Sequence, residues 1–347
     1  MSIWQKFCIH HNLIKNTTKH KKIIILLCFI LLLFTSILGL LIGAVKVSLK
    51  DIISALTFQN QGTIPFQLIT TIRLPRVIAG LFSGIALSVS GVILQAVMNN
   101  SLASPNIIGV NSGAGLAVLV VLIIFPKWMP FVPVAAFIGA FITTSIIFLI
   151  SYKTSISRIT IVLSGVAMSS FIGACINTLT LLFPDIAINA NSFMIGGLSG
   201  VLMSRIIYAV IYITIAFLVC IFLAPNLNIL QLGDSVASSL GLKVNRYRLI
   251  FILLSSTLAG SAVSYAGLLG FVGLIVPHIC RYLVGNDAKF LIPCSGIVGG
   301  IFVIGSDLIG RVIFAPYELP VGIIMSFIGA PFFIFLLIKN KGRRLNA

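Results

Sequence analysis

The sequence predicts an all-α, polytopic integral membrane protein with about ten transmembrane helices. Of the 347 residues, 59% are hydrophobic and only 8% are charged, whereas an ordinary soluble domain carries about 25% charged residues. Apolar runs of about 20 residues recur along the chain, and this is the length that an α-helix needs to cross a bilayer. The runs lack the period-two alternation of a barrel strand, and in lipid only helices and closed barrels satisfy the backbone.

Ten apolar runs are the candidate spans. They cover residues 22–44, 75–98, 106–125, 131–151, 159–183, 205–223, 249–265, 268–284, 290–310 and 319–338. The predicted organisation is a cytoplasmic N-terminal tail over 1–21, a ten-helix transmembrane domain over 22–338 and a cytoplasmic C-terminal tail over 339–347. The first run is too long for the apolar part of a signal peptide, so it is interpreted as a retained span.

The distribution of Lys and Arg predicts that both termini are cytoplasmic, because cytoplasmic loops carry an excess of these residues. With the N-terminus inside, 16 of the 23 Lys and Arg lie on the inner side and 7 on the outer side. The outer seven are Lys46, Lys50, Arg73, Arg76, Lys127, Arg205 and Arg311. This placement at the ends of apolar runs also explains the net charge of +17 without a nucleic-acid partner, for which no motif is present.

The sequence gives little support for an energy source within the chain. It has no G-x-x-x-x-G-K-[ST] loop, so it is not expected to hydrolyse a nucleotide. Asp307 is the only acid within an apolar run, and Arg311 four residues later predicts a local ion pair. His278 is the only histidine in such a run and is interpreted as structural. The six cysteines are scattered without metal-site spacing, and no metal or cofactor is expected.

One polar group stands at the outer ends of the spans. Arg73-Leu-Pro-Arg76 precedes the second span, and Arg311 follows the ninth. Arginines on the outer side are exceptions to the excess of Lys and Arg in cytoplasmic loops. They are therefore either anchors in the membrane interface or an outward-facing docking patch for an acidic partner.

A second group lies in the inner segment 232–242. Ser, Ala and Leu are spaced for a short helix, with Asp234 at its positive N-terminal end and Gly241 as its stop. Such a helix is either a simple loop feature or a lever on which an ATPase pushes.

The sequence resembles the FecCD-type permeases, which belong to ABC importers for iron-siderophore complexes and cobalamin. The resemblance runs in order from about residue 20 to 340. The matching stretches are RLPRVIAGLFSGIALSVSGVILQ (73–95), NSLASPNIIGVNSGAG (100–115), GDSVASSLGL (233–242), GLLGFVGLIVPHICR (267–281) and ELPVGIIMSFIGAPFFIFLL (318–337).

The resemblance implies a multi-pass permease of the bacterial cell membrane that works as a pair, either of identical chains or of paralogues. Its implied partners are two ABC ATPase subunits inside and a substrate-binding protein outside. Arg73, Arg76 and Arg311 are then expected to receive acidic residues of the binding protein. The segment from Gly233 through Asp234 to Gly241 is expected to be the coupling helix that docks on the ATPase.

The resemblance also places the inner gate at Asn100, Leu102 and the stretch near Ser157. This sequence departs from the family pattern at two positions. Ser101 replaces the proline of the N-P-L-A gate loop, and Asp234 replaces the glutamate of the coupling motif, which keeps the charge on a shorter side chain.

The predicted function is a transport subunit, without catalytic residues, that forms the pathway for a ferric siderophore. Cobalamin and haem are alternative cargoes that no identified residue separates from a siderophore. A proton-driven carrier would need a deep acid, for which Asp307 is the only candidate. An intramembrane enzyme would need a nucleophile and base or a zinc motif, and His278 has no such neighbours in the sequence.

The topology is tested with reporter fusions. A reporter fused after Ala347 and another within 224–248 are expected on the cytoplasmic side, and a reporter within 184–204 on the outer side, because of the Lys and Arg bias. Protease protection or alkaline phosphatase activity reads out the side. A cytoplasmic signal from 184–204 would contradict the ten-span arrangement.

Overall fold

The computed structural model describes residues 18–344, apart from 44, 46, 58, 60–61, 127–128, 154–157 and 316. In this part of the chain the regular structure is helical and contains no strand. The helices are α1 (Thr18–Leu41), α2 (Leu49–Leu56), α3 (Ile64–Val97), α4 (Val110–Ile124), α5 (Val132–Lys153), α6 (Arg158–Leu182), α7 (Pro184–Ile195), α8 (Met203–Phe222), α9 (Ala224–Gln231), α10 (Asp234–Ser239), α11 (Val244–Ala266), α12 (Val272–Val284), α13 (Ala288–Val312) and α14 (Val321–Arg344).

The predicted all-α, polytopic class is confirmed, and each predicted span overlaps one helix. Seven described helices are long and apolar enough to cross a membrane: α1, α3, α5, α6, α8, α11 and α13. Shorter apolar helices cover Val110–Ile124, Val272–Val284 and Val321–Phe335. The number of crossings, the side of each terminus and the limits of the two tails stay predictions.

Helix α3 lies at the centre of the bundle. In its most apolar 18-residue stretch 78% is buried, against 17% in the corresponding stretch of α1 and of α6. Helices α11 and α13 are also largely inside the bundle, with 67% and 56% of their most apolar stretch buried. The peripheral helices therefore present most of their apolar side chains outward, as expected of surfaces that face lipid.

Close backbone contacts at glycines hold α3 against its neighbours. A Cβ atom on Gly84 would lie 2.2 Å from the carbonyl oxygen of Gly299 in α13. On Gly91 it would lie 1.9 Å from the carbonyl oxygen of Gly273 in α12. Neither site has room for a methyl group, so glycine at these two positions allows the helix backbones to approach closely.

Buried hydroxyl groups join the same helices. Ser88 donates to the carbonyl of Ser295 at 2.7 Å, and the hydroxyl groups of Ser90 and Ser255 lie 2.6 Å apart. Such hydrogen bonds between helices contribute about 0.6 kcal/mol on average inside a membrane. The contacts of α3 with α13 follow one antiparallel register, because 84 faces 299 and 88 faces 295.

Candidate functional site

Five charged residues form the outer cluster: Arg73, Arg76, Asp307, Arg311 and Glu318. Arg76 is its centre. Its Nε lies 3.0 and 3.1 Å from the two carboxylate oxygens of Asp307, and its Nη2 lies 2.9 Å from Oδ1. Its Nη1 lies 2.7 Å from Oε2 of Glu318. All three guanidinium nitrogens of Arg76 are therefore engaged within the chain.

Arg311 joins the cluster through its predicted partner. Its Nη2 lies 3.1 Å from Oδ2 of Asp307, which confirms the ion pair between residues four apart on α13. Its Nη1 donates to the carbonyl oxygens of Gly39 at 3.2 Å and Ile42 at 3.1 Å. The sequence analysis missed Arg76 as a second partner of Asp307, although Asp307 is one of only six acids in the chain.

Arg73 binds backbone carbonyl groups at the end of α1. Its Nη1 donates to Leu40 and Leu41 at 2.6 and 2.7 Å, and its Nη2 contacts the carbonyl of Val45. The last carbonyl groups of a helix lack partners within the helix and carry its partial negative charge. Arg73 from α3 and Arg311 from α13 therefore complete the C-terminal end of α1.

These arginines do not face outward in this structure, and their role in docking stays a prediction. Arg73, Arg76 and Arg311 are exposed by only 4%, 7% and 6%. Their charges are buried because two acids and the carbonyl groups of α1 supply partners. Glu318 is the accessible member of the cluster, with 36% of its side chain exposed. A cavity of about 330 Å³ opens beside it and is also lined by Arg76, Arg205 and Tyr265.

Residues 224–241 form α9 and α10 and contain the predicted coupling helix, so this segment is named the coupling unit. Asp234 begins α10, and Gly241, which follows it, has a φ of +83°, so the short helix and its left-handed stop lie where the sequence predicted them. Gly233 before the helix also has a positive φ, of +102°. The carboxylate of Asp234 accepts hydrogen bonds from Nη2 of Arg248 at 2.8 and 2.9 Å. This fixes α10 to the start of α11.

A second clamp, which the sequence analysis missed, fixes α9 to α13. The side-chain amide of Asn228 donates to Asp287 at 2.8 Å, and its oxygen accepts from the backbone N–H of Ala288 at 2.8 Å. Asp287 itself caps α13. The coupling unit is thus attached to two of the most buried helices of the bundle.

The coupling unit presents apolar side chains on its surface. Leu232, Val236 and Leu240 are 59%, 44% and 60% exposed. They recur at intervals of four residues, while Ala237, which follows Val236 in α10, is fully buried. This surface is of the kind that a protein partner covers.

The structure brings together two of the three predicted gate residues. Asn100 and Leu102 lie in the loop between α3 and α4, where Oδ1 of Asn100 accepts from the N–H of Leu102 at 2.9 Å. Leu102 is 41% exposed. Ser157 lies outside the described residues. Just before this loop, Gln95 donates to the carbonyl of Gly273 at 3.2 Å and accepts from Arg281, so α3 and α12 are tied beside it.

Among the described residues, no group of three or more His, Cys, Asp and Glu side chains is arranged to hold a metal ion. Asp307, which the sequence analysis weighed as the site of a proton-driven carrier, has a 5% exposed side chain between two arginines. These two cations provide its neutralising partners.

Comparison with known proteins gives matches over nearly the whole chain. The model of the FecCD transport family matches residues 31–339. The Fe(3+)-citrate import system permease protein YfmE of Bacillus subtilis is 36% identical, over 95% of this chain and 99% of that protein. The "Probable siderophore transport system permease protein YfhA" of the same organism is 38% identical, over 79% and 82%. A solved structure of a metal-chelate type ABC transporter in an inward-facing conformation is 28% identical with a TM-score of 0.82, covering 91% of this chain and 99% of that one.

The outer cluster predicts unequal effects of two isosteric changes. Asp307→Asn removes the only acid between two buried arginines and is expected to destabilise the protein by about 3–5 kcal/mol. Glu318→Gln removes a half-exposed partner and is expected to cost about 0–1 kcal/mol. The unfolding midpoint in detergent measures both. Equal midpoints for the two variants would show that the cluster is not the buried ion pair that the distances indicate.

Proposed function

The chain belongs to the FecCD transport family, and we propose that it forms the pathway for a ferric siderophore through an ATP-driven importer. It is a multi-pass permease subunit of the bacterial cell membrane for iron-chelate substrates. It is a transport subunit rather than an enzyme, since ATP hydrolysis occurs in a separate ATPase.

The choice of a siderophore rests on one observation. The relative named for siderophore transport has 38% identity, and the relative named for Fe(3+)-citrate import has 36%. Both names describe iron held by an oxygen-rich chelator. Haem and cobalamin are the competing cargoes, and a direct competition between cargoes decides among them.

The cargo is tested in proteoliposomes that contain the permease, its ATPase and its binding protein. Uptake of ⁵⁵Fe-labelled siderophore is expected to require ATP and to survive a protonophore, because this chain supplies no deep acid pair for proton coupling. Unlabelled siderophore is expected to compete, whereas haem and cobalamin are not. Competition by haem alone would show that the cargo is haem and would leave the ATP-driven importer standing. Uptake driven by a proton gradient without ATP would refute both the siderophore cargo and the ATP-driven importer.

We propose that the coupling unit docks on the ATPase. Three features support this: the exposed apolar row of Leu232, Val236 and Leu240, the Asp234–Arg248 pair, and the Asn228 clamp on α13. The apolar row supplies a contact surface. The Asp234–Arg248 pair attaches the unit to α11, and the Asn228 hydrogen bonds attach it to α13. A displacement of the docked unit therefore moves both helices.

The left-handed stop of α10 provides a specific test. Gly241→Val finds open space for its side chain, but its backbone has a φ of +83°, and a residue with a Cβ is strained there by about 1–2 kcal/mol. Transport and substrate-stimulated ATPase activity are expected to fall together while the protein still inserts. Gly62→Val is the matched control, because it also has open space and lacks a positive φ.

In the same assay Asn228→Ala is expected to lower transported substrate per ATP more than it lowers basal ATPase activity. It cuts the attachment to α13 and leaves the apolar row in place. Wild-type coupling in both Gly241→Val and Asn228→Ala would argue against a coupling role for this unit.

We propose that the binding protein engages the outer cluster by exchanging one carboxylate for another. Of the three arginines only Arg76 lines the cavity, where the more exposed Glu318 holds its Nη1. An acidic side chain of the binding protein could take its place there. Arg73 and Arg311 would then act indirectly, by holding α1 and Asp307 around Arg76.

This exchange predicts that Glu318→Gln strengthens binding. The variant replaces the carboxylate on Nη1 of Arg76 with a neutral amide that competes less well with an incoming carboxylate, so affinity for the binding protein is expected to rise by up to about fivefold, the equivalent of ~1 kcal/mol. Asp185→Asn, a loss of one exposed acid on the same predicted side, is the matched control and should leave affinity unchanged. Identical affinities for wild type, Glu318→Gln and Arg76→Gln in nanodiscs would show that the cluster only braces the fold.

A further inference from the structure

Helix α2 carries an apolar arc that is wider than the surface it packs against. At 100° per residue, Ala55, Ile52, Leu56, Leu49 and Ile53 follow one another around about 160° of the helix. Ile52 and Ala55 are buried, at 5% and 2% exposure. The rest of the arc is left uncovered by this chain.

The uncovered part consists of three large aliphatic side chains. Leu49, Ile53 and Leu56 are 59%, 63% and 52% exposed. They lie within about 60° of one another on the helix surface. The opposite face is polar and includes the exposed Lys50.

The helix is well defined at its start. The hydroxyl of Ser48 accepts from the N–H of Asp51 at 3.2 Å, and the Asp51 carboxylate accepts from the N–H of Ser48 at 2.9 Å. The Ser48 hydroxyl also donates to the Asp51 carboxylate at 2.7 Å, and this hydrogen bond, together with the one from the Ser48 N–H, lowers the pKa of Asp51. A capping box of this kind fixes the direction of the helix and therefore of its exposed row.

Exposed apolar side chains also precede α2 in the chain. Phe34 and Ile37 on α1 are 57% and 44% exposed, and the connection to α2 adds Ile42 at 37% and Val45 at 53%. Arg73 binds carbonyl groups on this connection and so fixes the position of α2 relative to the end of α1.

We propose that α2 lies flat in the membrane–water interface at the outer-cluster end of the bundle, with Leu49, Ile53 and Leu56 inserted among lipid acyl chains. Amphipathic helices bind there with the apolar face in the acyl boundary and the charged face toward water. Lipid fits better than a protein partner because the row is aliphatic and because Arg73 holds the start of this segment next to the end of α1, a helix whose exposed side chains are apolar. This inference does not depend on the cargo.

Single tryptophan replacements test the proposal. Ile53→Trp places the probe in the exposed row and Lys50→Trp places it on the polar face of the same helix. Each purified permease is reconstituted in nanodiscs of ordinary or brominated phosphatidylcholine, and the emission of the parent protein, which has two tryptophans, is subtracted. Emission from Ile53→Trp is expected to be blue-shifted and quenched several-fold more strongly by brominated lipid than emission from Lys50→Trp.

Three results would overturn the proposal. Equal, weak quenching at both positions would place α2 in water. A blue shift at Ile53→Trp without quenching by brominated lipid would indicate that a second copy of the chain covers the row. An emission change at Ile53→Trp that occurs only when the binding protein is added would assign the row to that partner.

Discussion

The close approach of α3 and α13 is the constraint on which the other interactions of the bundle depend. In lipid, apolar surface gains little by leaving the solvent, so helices associate through close packing and interhelical hydrogen bonds. Gly84 meets Gly299 backbone to backbone, and the same register brings Ser88 to Ser295 and Arg76 to Asp307. A shift of one residue in this register would separate the ion pair and bring side chains against the backbone at the glycine contact.

The outer cluster helps to hold a helix that is mostly exposed. In the most apolar 18-residue stretch of α1 only 17% is buried, and burial against protein gives a lipid-facing helix no hydrophobic gain. Leu32 and Leu40 pack in an apolar cluster with Val77 and Ile304, and Arg73 and Arg311 add polar attachments by donating to the carbonyl groups at its C-terminal end. The charges on these arginines are tolerated near the membrane because those carbonyl groups and Asp307 replace the water that they lose.

Features that depend on neighbours in the sequence were predictable, and features that depend on the fold were not. Hydropathy located a helix at each predicted span, and the spacing around Asp234 and Gly241 located α10. The Asp307–Arg311 pair followed from its four-residue separation. The pairs Arg76–Asp307 and Asn228–Asp287 join distant segments, so they require the helix register. The exposure of the arginines was misjudged because the sequence gives no sign that the end of α1 supplies acceptors. The available signal for buried partners was that two of the six acids, Asp307 and Glu318, lie at the same predicted end of the bundle as the arginines.

The two candidate sites lie at opposite ends of one helix, and this limits how they can communicate. Helix α13 begins at the Asn228 clamp and reaches Asp307 and Arg311 near its far end, about 29 and about 35 Å away at 1.5 Å per residue. Sliding α13 along α3 would break the backbone contact at Gly84 and Gly299 and unpair a buried charge, which costs about 3–5 kcal/mol. The two helices therefore have to move together. If the coupling unit is pushed by an ATPase, the low-cost response is a rigid rotation of α3, α11 and α13 as one block, with the change of shape taken up at the contacts of this block with the peripheral helices.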